Sequence, residues 1–366
     1  MKRKILILVN HEVVVYNFRK ELVEELLNEG YDVVISSPYG EKIKYFMDIG
    51  AQYVETKIDR QGKNPIKDFK LLNFYNALMK RISPDIVLTY TIKPNIFGGL
   101  AAKKNRIPYI ANITGLGTAV EKKGFIQKLT LLLYTFAFSK VDTIFFQNQE
   151  NMDFFKNKRI GLNKYSLIPG SGVNIDFFEL SEYPPGETIE FVFISRLMKE
   201  KGIDLYIGAA KYFAQKYKKV KFHVCGFCEE NYSEMLNNLH KNGTIIYHGM
   251  LKDIRLVLRN THCTVHPTYY PEGLSNVLLE SLATGRPVIT TDRSGCRETV
   301  ENGINGFLVK QNDQNDLIDK IQKFIDLQYY EKKTMGLNGR IKAVNEFDRR
   351  VVVKEYKNTI KRIIDN

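Results

Sequence analysis

The 366 residues contain no tryptophan and only four cysteines. Four cysteines are too few to build a disulfide scaffold in a chain of this length. Cys225 and Cys228 form one C-x-x-C, but no second pair has zinc spacing, so the pattern reads as a buried strand end rather than a metal or redox centre. No stretch reaches the roughly 18 apolar residues that cross a bilayer. Met1 to Asn10 is a short apolar strand without the h-region and cleavage site of a signal peptide, so a reducing cytoplasm is the expected location. The first strand is not followed by G-x-G-x-x-G, which removes the dinucleotide fingerprint. Asp-x-Asp, the pattern that would hold a divalent cation, does not occur. There is no internal repeat, no RNP-like pattern and no basic helix to read nucleic acid.

What is present describes a globular chain, 44% apolar and 26% charged, long enough for two domains with separate cores. The net charge of +13 is uneven: residues 1–175 carry 26 basic against 16 acidic residues, and the remainder 28 against 25. A basic first half suggests an anionic partner: an acidic membrane surface, a diphosphate-bearing acceptor or nucleic acid.

Lys4–Val9 is a continuous apolar run, the mark of a strand buried on both faces of a parallel sheet. A loop Asn10–Glu12, a helical pattern over about Tyr16–Asn28, Gly30 and a strand from Tyr31 complete a βαβ unit. Further strands are expected at Ile86–Thr89, Pro108–Ala111, Thr143–Phe146 and Ser166–Ile168. Gly- and Pro-rich punctuation between Gly170 and Thr188 marks a linker. A second series follows, with strands at Glu190–Ser195, Lys221–Cys225, Thr244–Tyr247, Cys263–Val265, Val288–Thr291 and Phe307–Val309. The expected fold class is α/β: two doubly wound domains, with ligands outside the carboxyl ends of the strands. Loops carrying Arg60, Lys93 and Thr114-Gly115 lie at such ends, although each also fits ordinary turn chemistry. Phe125–Phe138 is almost wholly apolar and follows two lysines; it is either a core helix or one presented to lipid.

The most informative stretch is Thr268–Val309. Glu272 and Glu280 have seven residues between them, a turn at Pro271 to Gly273 precedes, and helical spacing runs from Val277 to Ala283. The free N–H groups of a helix start favour an anion, and a carboxylate two turns on can accept a pair of hydroxyls. A pyrophosphate at the helix start, a ribose at Glu280 and a sugar at Glu272 would together describe a nucleotide sugar; the two carboxylates by themselves also fit a surface loop capped by Glu272, with Glu280 on a solvated helix face.

With Gly285-Arg286-Pro287, Glu298, Asn305-Gly306, and upstream Ser195-Arg196-Leu197 and Lys201-Gly202, this stretch resembles the E-x7-E donor site of the family 4 retaining glycosyltransferases, which have the GT-B fold. The resemblance covers most of the chain in order. It implies an acceptor domain over residues 1–172 and a nucleotide-sugar domain over 173–348, facing a central cleft, and a last helix, 349–366, that crosses back to the first domain. It assigns Arg196 and Lys201 to the donor diphosphate, Glu272 to the hexose beside Gly273, Leu274 and Ser275, Glu280 to the ribose, and the strand end at Tyr247 to the base. Arg196, Lys201 and Glu272 would be the catalytic set. Asn17, Arg60, Lys93, Thr114 and Gly115 are acceptor-side candidates. Many members carry His-Gly where this chain has Thr114-Gly115, so that histidine's role does not transfer. The segments around YTIKPN and ANITGLGT are similar to enzymes of capsule, exopolysaccharide and lipid-linked glycan assembly that move N-acetylhexosamines. The implied partners are a UDP-sugar and a polyprenyl-diphosphate-linked acceptor at an anionic membrane surface, with no metal or other cofactor and no nucleic acid. The implied location is the inner face of the cytoplasmic membrane. A non-catalytic nucleotide-sugar-binding protein and a UDP-sugar 2-epimerase share the architecture and stand as alternatives.

Overall fold

The computed structural model describes residues 2–58, 64–121 and 123–365. The chain divides into two compact units, one of residues 1–171 with 350–366, the other of residues 172–349.

In the first unit the strands are β1 (Lys4–Leu8), β2 (Asp32–Ser37), β3 (Gln52–Glu55), β4 (Ile86–Tyr90), β5 (Tyr109–Ile113), β6 (Thr143–Phe146) and β7 (Tyr165–Leu167). They form one parallel sheet in the order β3-β2-β1-β4-β5-β6-β7. The order reverses between β1 and β4, where Leu8 pairs with Thr89. Such a reversal opens a crevice at the carboxyl edge of the sheet. β1, β4, β5 and β6 are buried almost throughout because helices cover both faces, which explains their unbroken apolar runs.

The first helical region differs from the sequence pattern. It begins at Glu12, not near Tyr16, because the His11 ring accepts the Val13 N–H and caps Glu12–Phe18. It then breaks at Arg19 before resuming as Lys20–Asn28. The Arg19 guanidinium is buried, 5.0 Å from the Tyr90 ring centroid and 5.3 Å from that of Tyr356, and the backbone leaves helical geometry to place it there. Tyr356 belongs to the last helix, Arg349–Ile364. Val352, Tyr356 and Ile360 of that helix enter the core of the first unit with Ile5, Ile7 and Leu88. Lys357 adds ion pairs to Glu25 and Glu29 at 2.7 and 2.9 Å.

Phe125–Ala137 is a helix, as its apolar run predicts, but only Thr130, Tyr134 and Ala137 are buried. Phe125, Leu129, Leu132 and Phe136 recur at helical spacing along an exposed face, with Phe125 79% and Phe136 55% accessible. Lys123 and Lys128 are exposed beside it, and Lys122 lies outside the described residues.

The second unit holds β8 (Ile189–Ile194), β9 (Val220–Cys225), β10 (Ile246–Gly249), β11 (Cys263–His266), β12 (Val288–Thr291) and β13 (Gly306–Val309), all parallel, in the order β10-β9-β8-β11-β12-β13. Here the reversal falls between β8 and β11. Cys225 is a buried free thiol at the end of β9, and burial pushes its pKa up to about 12, so it behaves as a core side chain. Among the described residues no helix is long and apolar enough to cross a membrane.

Candidate functional site

Arg196 and Lys201 follow β8, and Glu272 follows β11, so all three sit where the strand order of the second sheet reverses. The local chain explains why they meet. The turn Lys199–Lys201 ends at Gly202, whose φ is +82°; a Cβ there would lie 2.2 Å from the Pro267 carbonyl oxygen, so only glycine lets this turn rest on the chain leaving β11. The Tyr269 N–H and the Thr268 hydroxyl both donate to the Glu200 carbonyl, at 2.9 and 3.2 Å.

Lys201 is buried and ion-paired with Glu272. Arg196, about one-third exposed, is ion-paired with Glu229. Both cations lie within cation–π reach of the Tyr270 ring, its centroid 5.4 Å from the Arg196 guanidinium carbon and 4.8 Å from Lys201 Nζ. Burial raises the Glu272 pKa, but Lys201, then His266 and Arg196, more than compensate and hold it below the usual carboxylate range. Burial disfavours the Arg196 charge, and Glu229 with Tyr270 more than restores it. Two cations, each held by a carboxylate on a rigid edge, are preorganised to receive a more highly charged anion.

The helix predicted after Glu272 runs over Asn276–Ala283, with Ser275 at its N-cap and no side-chain cap bond. Gly273, Leu274 and Ser275 lead into it and are buried. Gly295 packs against this loop: a Cβ there would come within 2.7 Å of the Glu272 Cβ, and the Gly295 carbonyl accepts the Ser275 N–H at 2.8 Å. Glu298 fixes that turn through the Gly295 N–H, at 2.8 Å, and the Ser294 hydroxyl, at 3.2 Å.

Glu280, two turns into the helix, is half-buried and makes no side-chain hydrogen bond or ion pair among the described residues. Burial pushes its pKa up to about 7, against the opposing pull of Arg349. Tyr247, in β10, places its hydroxyl 3.6 Å from Cys228 Sγ and 3.4 Å from the Gly226 carbonyl, and burial pushes its pKa up to about 12.

Four participants were not read from the sequence. Glu229 lies 33 residues from the arginine it pairs with. Tyr270 is one of two adjacent tyrosines that nothing local distinguishes. Asn276 Oδ1 is buried without a partner at the helix start. His266 is buried with neither ring nitrogen hydrogen-bonded among the described residues. A histidine directly before the Pro-Thr-Tyr-Tyr-Pro-Glu turn was the one visible signal.

The acceptor-side candidates belong to the first unit. Lys93 follows β4 and is ion-paired with Asp68 at 2.6 Å. Thr114 and Gly115 occupy the loop after β5, and Gly115 has a φ of +140°. Lys93 and the Thr114-Gly115 pair thus lie at the carboxyl ends of neighbouring strands. Asn17 is exposed near the end of the helix Glu12–Phe18, which follows β1. Arg60 lies outside the described residues.

Two family descriptions match the chain: Glycosyl transferases group 1 over residues 177–342, and Glycosyl transferase 4-like over residues 4–148. Together they take in the site-bearing unit and most of the other sheet. The chain belongs to the family 4 glycosyltransferases. This glycosyltransferase is 26% identical to the N,N'-diacetylbacillosaminyl-diphospho-undecaprenol alpha-1,3-N-acetylgalactosaminyltransferase of Campylobacter jejuni, over 96% of each chain. It is 28% identical to the capsular polysaccharide biosynthesis glycosyltransferase CapM of Staphylococcus aureus, over 91% of this chain and 90% of the other. Its fold is similar to that of Anabaena HepE solved with UDP and glucose, with a TM-score of 0.80, 17% identity and coverage of 98% and 100%. Two Rossmann-like units, of seven and six parallel strands among the described residues, make this a GT-B fold.

Proposed function

We propose that this glycosyltransferase moves a hexose, an N-acetylamino sugar by resemblance, from a UDP-sugar to a polyprenyl-diphosphate-linked saccharide, with retention at the anomeric carbon. The observation that carries the reading is the constellation at the β8/β11 edge: two cations at the Tyr270 ring, Glu272 paired with one of them, and Glu280, without a partner among the described residues, in the helix that starts there. In this reading Arg196 and Lys201 exchange their carboxylates for the diphosphate and stabilise the charge that grows as the glycosidic bond breaks. Glu272, released from Lys201, accepts hydroxyls of the hexose, while Glu280 accepts the two ribose hydroxyls. Tyr247 borders the base. Cationic side chains and the helix start serve the leaving group without a metal ion. The leaving phosphate takes the acceptor proton in front-face attack, so no protein nucleophile is assigned. The Campylobacter relative, named for an undecaprenyl-diphosphate-linked substrate, and the UDP- and glucose-bound structure of similar fold support the choice of acceptor and donor. Assembly of a bacterial surface polysaccharide or glycan follows from the same relatives.

A polyprenyl acceptor stays in the bilayer, so the enzyme must come to it. The exposed apolar face of Phe125–Ala137, the adjoining Lys123 and Lys128, and the basic excess of residues 1–175 suit an anionic membrane at its inner leaflet. The direct experiment incubates purified protein with each UDP-sugar and a short polyprenyl-diphosphate saccharide and resolves the lipid-linked product. Donor consumed without transfer, or converted to an isomer, would replace transfer with hydrolysis or epimerisation. Absence of turnover with every donor, alongside UDP binding, would leave a binding protein.

A further inference from the structure

His266 is the least comfortable residue of the donor-binding unit. It closes β11, is 1% exposed, and neither ring nitrogen has a hydrogen-bond partner among the described residues. Its backbone carbonyl is satisfied by the Thr290 hydroxyl at 2.7 Å, and its ring lies 6.1 Å from that of Phe193. A phenylalanine or leucine would fill such a place without stranding polar atoms, so an imidazole here calls for a partner that arrives in another state. The surroundings identify it. The turn bearing Lys201 is stitched onto Pro267, Thr268 and Tyr269, the three residues that follow the histidine. Glu272 is six residues on, and Lys201 and Glu272 are the charges that act on the ring. Burial, reinforced by Lys201, drives the His266 pKa down to about 3, so the ring is neutral at working pH and always carries one N–H.

We propose that His266 is a positioning residue for Glu272: when the donor hexose draws Glu272 off Lys201 and onto its hydroxyls, the imidazole N–H donates to the Glu272 carboxylate and keeps it aligned there. The proposal rests on the donor-site reading above. A neutral donor suits this task better than a second cation. It orients the carboxylate without neutralising it, so Glu272 keeps full strength as a hydroxyl acceptor, and it adds no charge to compete for the diphosphate. The ring nitrogen that is stranded in the free enzyme becomes satisfied only when donor is bound, which converts a buried polar penalty into selectivity for the sugar-bearing ligand.

The test compares UDP with the UDP-sugar that supports turnover, on wild type, His266→Phe, His266→Asn and Glu272→Gln. His266→Phe keeps a planar ring, and the packing cost of its larger size is offset by the loss of two stranded nitrogens, so it should unfold near the wild-type temperature. It should bind UDP within about twofold of wild type, bind the UDP-sugar about tenfold more weakly and turn over about tenfold more slowly. His266→Asn, which keeps an N–H donor, should recover part of the loss. In the Glu272→Gln background, His266→Phe should change UDP-sugar affinity by less than about twofold, because the two residues act as one unit. Imidazole 15N shifts of the unmutated protein give a readout independent of folding: one His266 nitrogen should move on UDP-sugar binding and stay put with UDP. Equal losses for UDP and UDP-sugar, additive effects with Glu272→Gln, or a His266 signal blind to the sugar would overturn the proposal. Wild-type protein that binds no UDP-sugar would instead overturn the donor-site reading itself.

Discussion

Glu280 offers the sharpest quantitative test, because one carboxyl group sets both a stability profile and a binding profile. Its pKa stands at about 7 instead of the ordinary 4.5, through burial without a partner. That displacement corresponds to about 3 kcal/mol of disfavoured charge, reduced to about 1–3 kcal/mol where solvent reaches the group. The sign follows from proton counting. Between the two values the folded protein holds a proton that the unfolded chain has lost, so stability falls as pH rises from about 4.5 to about 7 and is flat beyond. Glu280→Gln removes the titrating group. It should leave stability at pH 5 nearly unchanged and raise it at pH 8, which for a unit of this size is a shift of several degrees in melting temperature. Binding runs the other way. Ribose hydroxyls are accepted best by the ionised form, so UDP-sugar affinity should rise about tenfold from pH 6 to pH 8, with proton release on binding near pH 7. Glu280→Gln should bind weakly and without that slope. Calorimetric titrations in two buffers of different ionisation enthalpy, with thermal melts at pH 5 and pH 8, make the measurement. An affinity independent of pH across this range, or a Glu280→Gln protein that melts lower at pH 8, would refute the reasoning.

Arg196→Ala and Lys201→Ala should each lower turnover by about two orders of magnitude. Arg196→Ala should fold normally, whereas Lys201→Ala should also lose about 2–3 kcal/mol in denaturant titration, because the largely buried Glu272 loses its ion pair with Lys201. Transfer should persist in excess EDTA, and a complete loss that Mg²⁺ or Mn²⁺ restores would contradict the role given to the cations and helix start. Replacing Lys122, Lys123 and Lys128 with Glu should reduce flotation with anionic vesicles at low salt, each lysine contributing about 1 kcal/mol. Replacing Phe125, Leu129, Leu132 and Phe136 with Asn should remove the part that survives high salt. Wild-type recovery by both variants would remove this helix as the membrane contact.

The sequence alone determined the sheets and the identity of the main donor-site candidates. Parallel strands covered on both faces are written as unbroken apolar runs such as KILIL, and shorter apolar stretches between turns mark β7 and β10, so twelve of the thirteen strands among the described residues could be located within a residue or two; β3, with both ends exposed, could not. Glu272 and Glu280 share one short local segment, so their spacing and residue type, with the upstream Ser195-Arg196-Leu197 and Lys201-Gly202, were enough to single out the motif. Tertiary structure decided everything that depends on approach between distant segments. The partners of Arg196 and Lys201 lie 33 and 71 residues away, and no local signal couples them. The break at Arg19 follows from burying its guanidinium against Tyr90 and Tyr356, the latter over 330 residues later. Whether Phe125–Ala137 was core or surface depended on which of its faces the sheet and its neighbours cover, since an all-apolar helix has no pattern to orient it. The raised pKa of Glu280 and the stranded nitrogens of His266 come from burial and from what is missing around them, and a linear sequence records neither.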